Sequence, residues 1–158
     1  MDQPTIQELS STGRHQECLQ TCQQLLEVKP ENPLFWKYAG KSLLALGQFK
    51  KAQQCLIKAH QLNTKDPETT KDIGNIFLDL GCTEEAIEWY KKSIKINNNY
   101  APAINSIANV KRQNGNNREA IKLFRQAIQA DPQLIQAYAG LAVSLLTLGE
   151  LDQAQSAA

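Results

Sequence analysis

The sequence predicts an all-α fold, a solenoid of antiparallel helix pairs, and three observations predict it. Five of the eight glycines, Gly13, Gly47, Gly81, Gly115 and Gly149, are each 34 residues from the next. Small or apolar residues recur in the same register: Cys18, Ala52, Ala86, Ala120 and Ala154; Leu25, Ala59, Ser93 and Ala127; Ile6, Gly40, Gly74, Ala108 and Ala142. Strand signals are missing, because no β-branched run alternates with polar residues. A fixed period of this size marks a supersecondary unit that buries its apolar face by stacking on copies of itself.

The elements follow in chain order as one domain over 1–158. Residues 1–32 form a diverged first unit, with helices expected near 4–11 and 16–28. Cys18, Cys22 and Leu25 stand at its apolar positions. The second unit, 33–66, opens on Pro33, which a first helical turn tolerates. Trp36, Ala39, Gly40, Leu43 and Leu46 recur at three–four spacing and predict a helix over 33–46. Gly47 ends it, since glycine enters the left-handed C-cap conformation without a Cβ clash. Phe49, Ala52, Leu56, Ala59 and Leu62 mark the next helix, over 50–62. The third unit, 67–100, places helices over 67–80 and 84–96. Glu84, Glu85 and Glu88 open the second of these, where carboxylates favour the helix dipole. The fourth unit, 101–134, places helices over 101–113 and 118–130. The fifth, 135–158, is truncated: a helix over 135–148 carries Leu141, Ala142, Leu145 and Leu148 at core positions, and another starts near 152. This predicts an N-terminal piece of a longer protein, or a second copy covering an uncapped C-terminal end.

The run Gly81-Cys82-Thr83-Glu84-Glu85-Ala86-Ile87-Glu88-Trp89-Tyr90 resembles the second helix of a tetratricopeptide repeat (TPR). So does Gly115-Asn116-Asn117-Arg118-Glu119-Ala120-Ile121-Lys122-Leu123-Phe124, with Ala127 and Asp131-Pro132 after it. The resemblance covers essentially the whole chain and looks like a bacterial-type TPR array. It implies a right-handed superhelix and a protein-binding role. Lys111 departs from the pattern, standing where the family usually has a large apolar residue.

Composition narrows the function. Seventeen Lys+Arg against sixteen Asp+Glu leave a net charge of +1, without the basic footprint of a nucleic-acid binder. Apolar runs are far shorter than the ~18–20 residues of a membrane span. The start, Met1-Asp2-Gln3-Pro4, is no secretory signal, so the expected location is cytoplasmic and the four cysteines are expected as free buried thiols. His15, Cys18 and Cys22 share i, i+3, i+7 spacing but have no nearby fourth metal ligand. Phosphate-loop, dinucleotide and zinc-protease motifs are absent. The chain is therefore expected to be non-catalytic, without cofactor or metal.

The family resemblance places the first helix of each unit on a concave face. Its groove positions are Lys37, Lys41 and Leu44; Lys71, Asn75, Leu78 and Asp79; Asn105, Asn109, Arg112 and Gln113; Ala139, Val143 and Leu146. Four-then-three spacing sets each group on one helix face. The cations would attract carboxylates, more so inside a concavity that focuses the field. Asparagine both donates and accepts, and so reads a peptide backbone. The expected partner is an extended, partly acidic peptide or protein, bound by Lys37, Lys41, Lys71, Asn75, Asn105, Asn109, Arg112 and Val143. Lys71 and Asn75 match the first two positions of the family's chaperone carboxylate clamp, but Ser106, Gln136 and Gly140 occupy its three later positions, so that clamp is not expected. Two alternatives stand beside this reading: the recognition arm of a larger glycosyl- or sulfotransferase, and a self-assembling scaffold. Charge also alternates in blocks: residues 32–65 hold six lysines and no acid, whereas 66–99 hold seven acids and four lysines. Such blocks would complement neighbours within the array or pair two molecules head to tail.

Overall fold

The computed structural model describes the backbone of residues 4–156 and the side chains of residues 4–149. Among these residues it is wholly helical: α1 (Ile6–Ser11), α2 (His15–Val28), α3 (Pro33–Ala45), α4 (Phe49–Leu62), α5 (Pro67–Asp79), α6 (Thr83–Ile96), α7 (Ala101–Gln113), α8 (Asn117–Ala130) and α9 (Ile135–Ser156). The chain divides into two compact units, Met1–Trp89 and Tyr90–Ala158.

Helix starts follow local chemistry. Thr5 and Glu8 form a reciprocal capping box at α1. Asn32 and Asp66 cap α3 and α5 through their side chains, and Pro33 and Pro67 fill the first turns. The turns inside the helix pairs repeat one geometry. Gly13, Gly47, Gly81 and Gly115 lie at φ between +72° and +79°. The residue after each glycine donates its N–H back over the turn: Arg14 to the Leu9 carbonyl, Gln48 to Leu43, Cys82 to Phe77 and Asn116 to Lys111, at 2.8–2.9 Å. This is the Schellman pattern, which satisfies carbonyls that the helix end leaves unpaired.

In the first unit α1–α5 enclose one core that includes Leu9, Cys18, Cys22, Ala39, Leu43, Ala52, Leu56, Ile73 and Ile76. The pairing of α3 with α4 depends on Gly40, where a Cβ would meet Leu56 Cγ at 2.6 Å. Trp89 stacks on Phe77 at 6.4 Å between centroids and meets the His60 ring edge-on at 5.4 Å. In the second unit Ile104 and Ala108 of α7, Ala120, Phe124 and Ala127 of α8, and Ala137 of α9 form the core. Gly140 lets α9 approach the Phe124 ring, which a Cβ would meet at 2.3 Å.

The last described helix differs from the expectation. Helix α9 runs unbroken through Gly149, without a break at 148 or a new helix near 152, and Gly149 lacks the positive φ of its four counterparts. Glycine inside a helix costs only about 1 kcal/mol relative to alanine. Its neighbours Leu146, Leu148, Glu150 and Leu151 are mostly strong helix formers. In the upstream units the break is held by the second helix packing back on the first. The expected core positions of α9 also divide: Leu141 and Leu148 are half-buried, whereas Ala142 and Leu145 are exposed.

Candidate functional site

In the first unit, the cations expected to line a groove are already engaged. Lys37 Nζ on α3 donates to Asp66 Oδ2 at 2.9 Å and also pairs with Glu68. Lys41, one turn on, reaches Glu68 Oε1 at 2.6 Å. The Lys37 side chain is only 12% exposed. Burial, the largest single influence, pulls the Lys37 and Lys41 pKa values down, but the hydrogen bonds and charges of their carboxylate partners together hold both above the ordinary 10.5. Burial likewise pushes Asp66 and Glu68 up, and is outweighed: Thr69 and Lys37 at Asp66, and both lysines at Glu68, hold the carboxyls below their usual values. On α5, Lys71 Nζ lies 2.5 Å from Oδ1 of the buried Asp72, and Asn75 is half-buried. Three lysines thus face three carboxylates, and this part of the surface is charge-balanced rather than cationic. The expected complementarity of successive charge blocks is realised here, since Lys37 and Lys41 belong to one block and Asp66 and Glu68 to the next. Lys58 extends it backwards, 3.7 Å from Glu31.

In the second unit, Asn105, Asn109 and Arg112 share one face of α7. All three are half-buried. Among the described residues, the buried Asn105 Oδ1 and Arg112 Nε have no hydrogen-bond partner. Buried polar groups left unpaired are costly, so a shift of the Asn105 or Arg112 side chain that exposes these atoms to a partner would relieve that cost. Val143 on α9 is 47% exposed in the same unit. Lys111 spans to Glu119 of α8 at 3.0 Å, so an ion pair replaces the apolar contact usual at that position.

Two features escaped sequence reasoning. A cavity of about 530 Å³ opens between α2, α3 and α4, lined by Leu19, Leu26, Trp36, Leu43, Lys51 and Cys55 among others. Its residues come from three helices, and no spacing pattern joins them. The thiols also differ from the expectation of uniform burial. Cys18 and Cys22 are buried, but Cys55 and Cys82 are only half-buried. Burial, followed by the neighbouring Cys18, pushes the Cys22 thiol up to about 12, and burial raises Cys55 as well. Neutral thiols are poor nucleophiles and poor metal ligands. Among the described residues no group of three or more His, Cys, Asp or Glu side chains is placed to hold a metal ion. No described helix is long and apolar enough to cross a membrane.

Family comparison agrees with the helix pairs. Residues 74–111 match a family model described as TPR repeat, and residues 111–157 match one described as tetratricopeptide repeat. The chain belongs to the tetratricopeptide-repeat family. No curated protein matches the sequence. Among solved structures, MamA is similar at a TM-score of 0.74 and 21% identity, over 99% of this chain and 91% of that one. TTC0263, a thermophilic TPR protein in Thermus thermophilus, gives 0.79 and 16%, over 89% and 78%. YrrB, a TPR protein with an unusual peptide-binding site, gives 0.65 and 18%, over 91% and 74%. At these identities the likeness shows the fold alone. The repeats make the chain a protein–protein interaction module.

Proposed function

We propose that this interaction module holds an extended peptide with at least one carboxylate against the α7 face of its second compact unit. The supporting observation is the pair of unsatisfied buried atoms on that face, Asn105 Oδ1 and Arg112 Nε. Asn105 would accept from a peptide N–H, Asn109 would bond a second amide, and Arg112 would pair with a carboxylate. Charge-assisted bonds of the last kind are about twice as strong as neutral ones. Val143 supplies an apolar contact beside them.

Arrays of extended peptides, acidic and neutral, would identify a binder whose affinity is then followed in variants. Arg112→Ala is expected to weaken an acidic binder at least tenfold, about 1.4 kcal/mol, and to flatten its salt dependence. Asn105→Ala should weaken acidic and neutral binders alike. Unchanged affinity and salt dependence in both variants would refute the assignment.

A further inference from the structure

The cavity between α2, α3 and α4 gains meaning from the repeat register. One period of 34 residues carries its lining onto α4, α5 and α6: Leu26 onto His60, Trp36 onto Thr70, Leu43 onto Phe77 and Cys55 onto Trp89. There an indole sits between the walls. Trp89 stacks on Phe77 at 6.4 Å and meets the His60 ring edge-on at 5.4 Å, while the Thr70 hydroxyl lies 3.2 Å from His60 Nδ1. One repeat earlier the same walls stand as Leu43 and Leu26, but the half-buried Cys55 is too short to reach between them. The cavity of about 530 Å³ thus contains the seat that an indole takes in the next repeat. Leu19 and Ala39 add buried apolar walls. Trp36, in the place of Thr70, adds a second flat surface, fixed by the hydrogen bond from its Nε1–H to the Pro30 carbonyl at 2.6 Å. The rest of the lining is polar without net charge: Gln23, Gln48 and Gln54, with Glu27 against Lys51. Burial raises the Cys55 pKa, so its thiol adds no charge either.

We propose that this cavity binds a free, uncharged, planar aromatic small molecule of at least two fused rings, seated on Leu43 as Trp89 is seated on Phe77. The ring is flat because the group that fills the equivalent place is flat, and because Trp36 offers it an aromatic contact, which is favourable in offset or edge-on geometry. It is uncharged because the one acid and the one base of the lining cancel and the inner wall is apolar. A ring N–H or hydroxyl would bond to one of the glutamines. The volume falls within the about 300–1,000 Å³ of small-molecule pockets, which combine an apolar lining with a few polar groups in this way. The site lies in the first compact unit, and the inference does not depend on the α7 peptide face.

The probes are 2-naphthol and its saturated, non-planar counterpart decahydro-2-naphthol, followed by nuclear magnetic resonance of the isotope-labelled full chain. The two tryptophans, Trp36 and Trp89, give two separate side-chain N–H signals. 2-Naphthol is expected to shift the Trp36 signal saturably, with a Kd of about 1 mM or below, as fits a ligand of fragment size. Decahydro-2-naphthol should bind at least fivefold more weakly. Cys55→Trp, which supplies the ring from the chain itself, should weaken 2-naphthol binding at least tenfold. Cys55→Leu fills less of the space and should weaken it at least threefold; circular dichroism checks that each variant folds, and Cys55→Leu decides where Cys55→Trp does not. Arg112→Ala should leave binding unchanged. No saturable shift, equal binding of the two probes, or binding indifferent to the Cys55 substitutions overturns the proposal. So does a tryptophan-bearing peptide that shifts the Trp36 signal where 2-naphthol does not, since a partner's side chain would then be the occupant.

Discussion

Replacing Gly40 by alanine tests how closely the helix pairs are fitted. The new Cβ would lie 2.6 Å from Leu56 Cγ, 2.8 Å from Leu56 Cδ2 and 3.3 Å from the Ala52 carbonyl oxygen. Comfortable carbon–carbon separation is about 3.5–4.0 Å, so α3 and α4 must part by roughly 1 Å or Leu56 must leave its rotamer. Leu56 is fully buried and has no room to swing. Overpacking costs about 1–3 kcal/mol, and a contact about 1 Å too short against a fully buried side chain belongs in the upper part of that range, about 2–3 kcal/mol. Alanine returns about 1 kcal/mol through helix propensity. The net expectation is a loss of about 1–2 kcal/mol, or a fall in Tm of roughly 2–8 °C for a chain of this size, read by circular dichroism on heating. The fourth repeat contains its own remedy, because Ala108 occupies the equivalent position and shares its core with the flat ring of Phe124. Gly40→Ala combined with Leu56→Phe should therefore recover most of the loss, giving a non-additive pair in a double-mutant cycle. A Gly40→Ala protein as stable as the parent would refute the account of close approach.

Three further outcomes are expected. Gly115→Ala should destabilise by about 1–2 kcal/mol, because φ of +79° is strained for any side chain, whereas Gly149→Ala should raise helicity around residue 149, seen in amide hydrogen exchange, since Gly149 is helical and nothing stands within 4 Å of its Cβ position; a loss of helicity there would restore the break at Gly149. Asp66 and Glu68 titrate below their ordinary values of 3.8 and 4.5, so their contribution is present above that range and lost as pH falls through the lowered values, while Lys37 and Lys41, raised above 10.5, contribute below that value and lose it as pH rises further. Thermal melts should thus show a plateau between about pH 5 and 10 with an acid limb that Glu68→Gln makes shallower, and an unchanged acid limb in that variant would count against the ion-pair cluster.

The parts of the fold legible in the sequence were those set by local chemistry. Gly13, Gly47, Gly81 and Gly115 announce turns, and Pro33 and Pro67 announce first helical turns, because both residue types act through their own backbone. The three–four spacing of Trp36, Gly40 and Leu43 assigns a buried face for the same reason. What the spacing could not show was pairing over distance. Lys37 meets Asp66 across 29 residues and Lys41 meets Glu68 across 27, so a face read as cationic from its own helix is neutralised by the next. Gly149 misled because its role depends on what packs after it, and not on the residue alone. Asn105 and Arg112 were placed on their helix face by spacing, but their unsatisfied atoms came from surroundings that no motif describes.

The Lys37 and Lys41 cluster has a consequence for how such an array can change. The lysine-only block of residues 32–65 is tolerable because an acid-rich block follows it. Were residues 32–65 duplicated in tandem, Lys37 and Lys41 would meet the second copy's Asn32 and Leu34 in place of Asp66 and Glu68, and two blocks of six lysines would adjoin without a single acid. Repeats that share a backbone are therefore not interchangeable bricks. Each carries an address written in charge, and shuffling or lengthening this array would require rewriting the addresses of both neighbours.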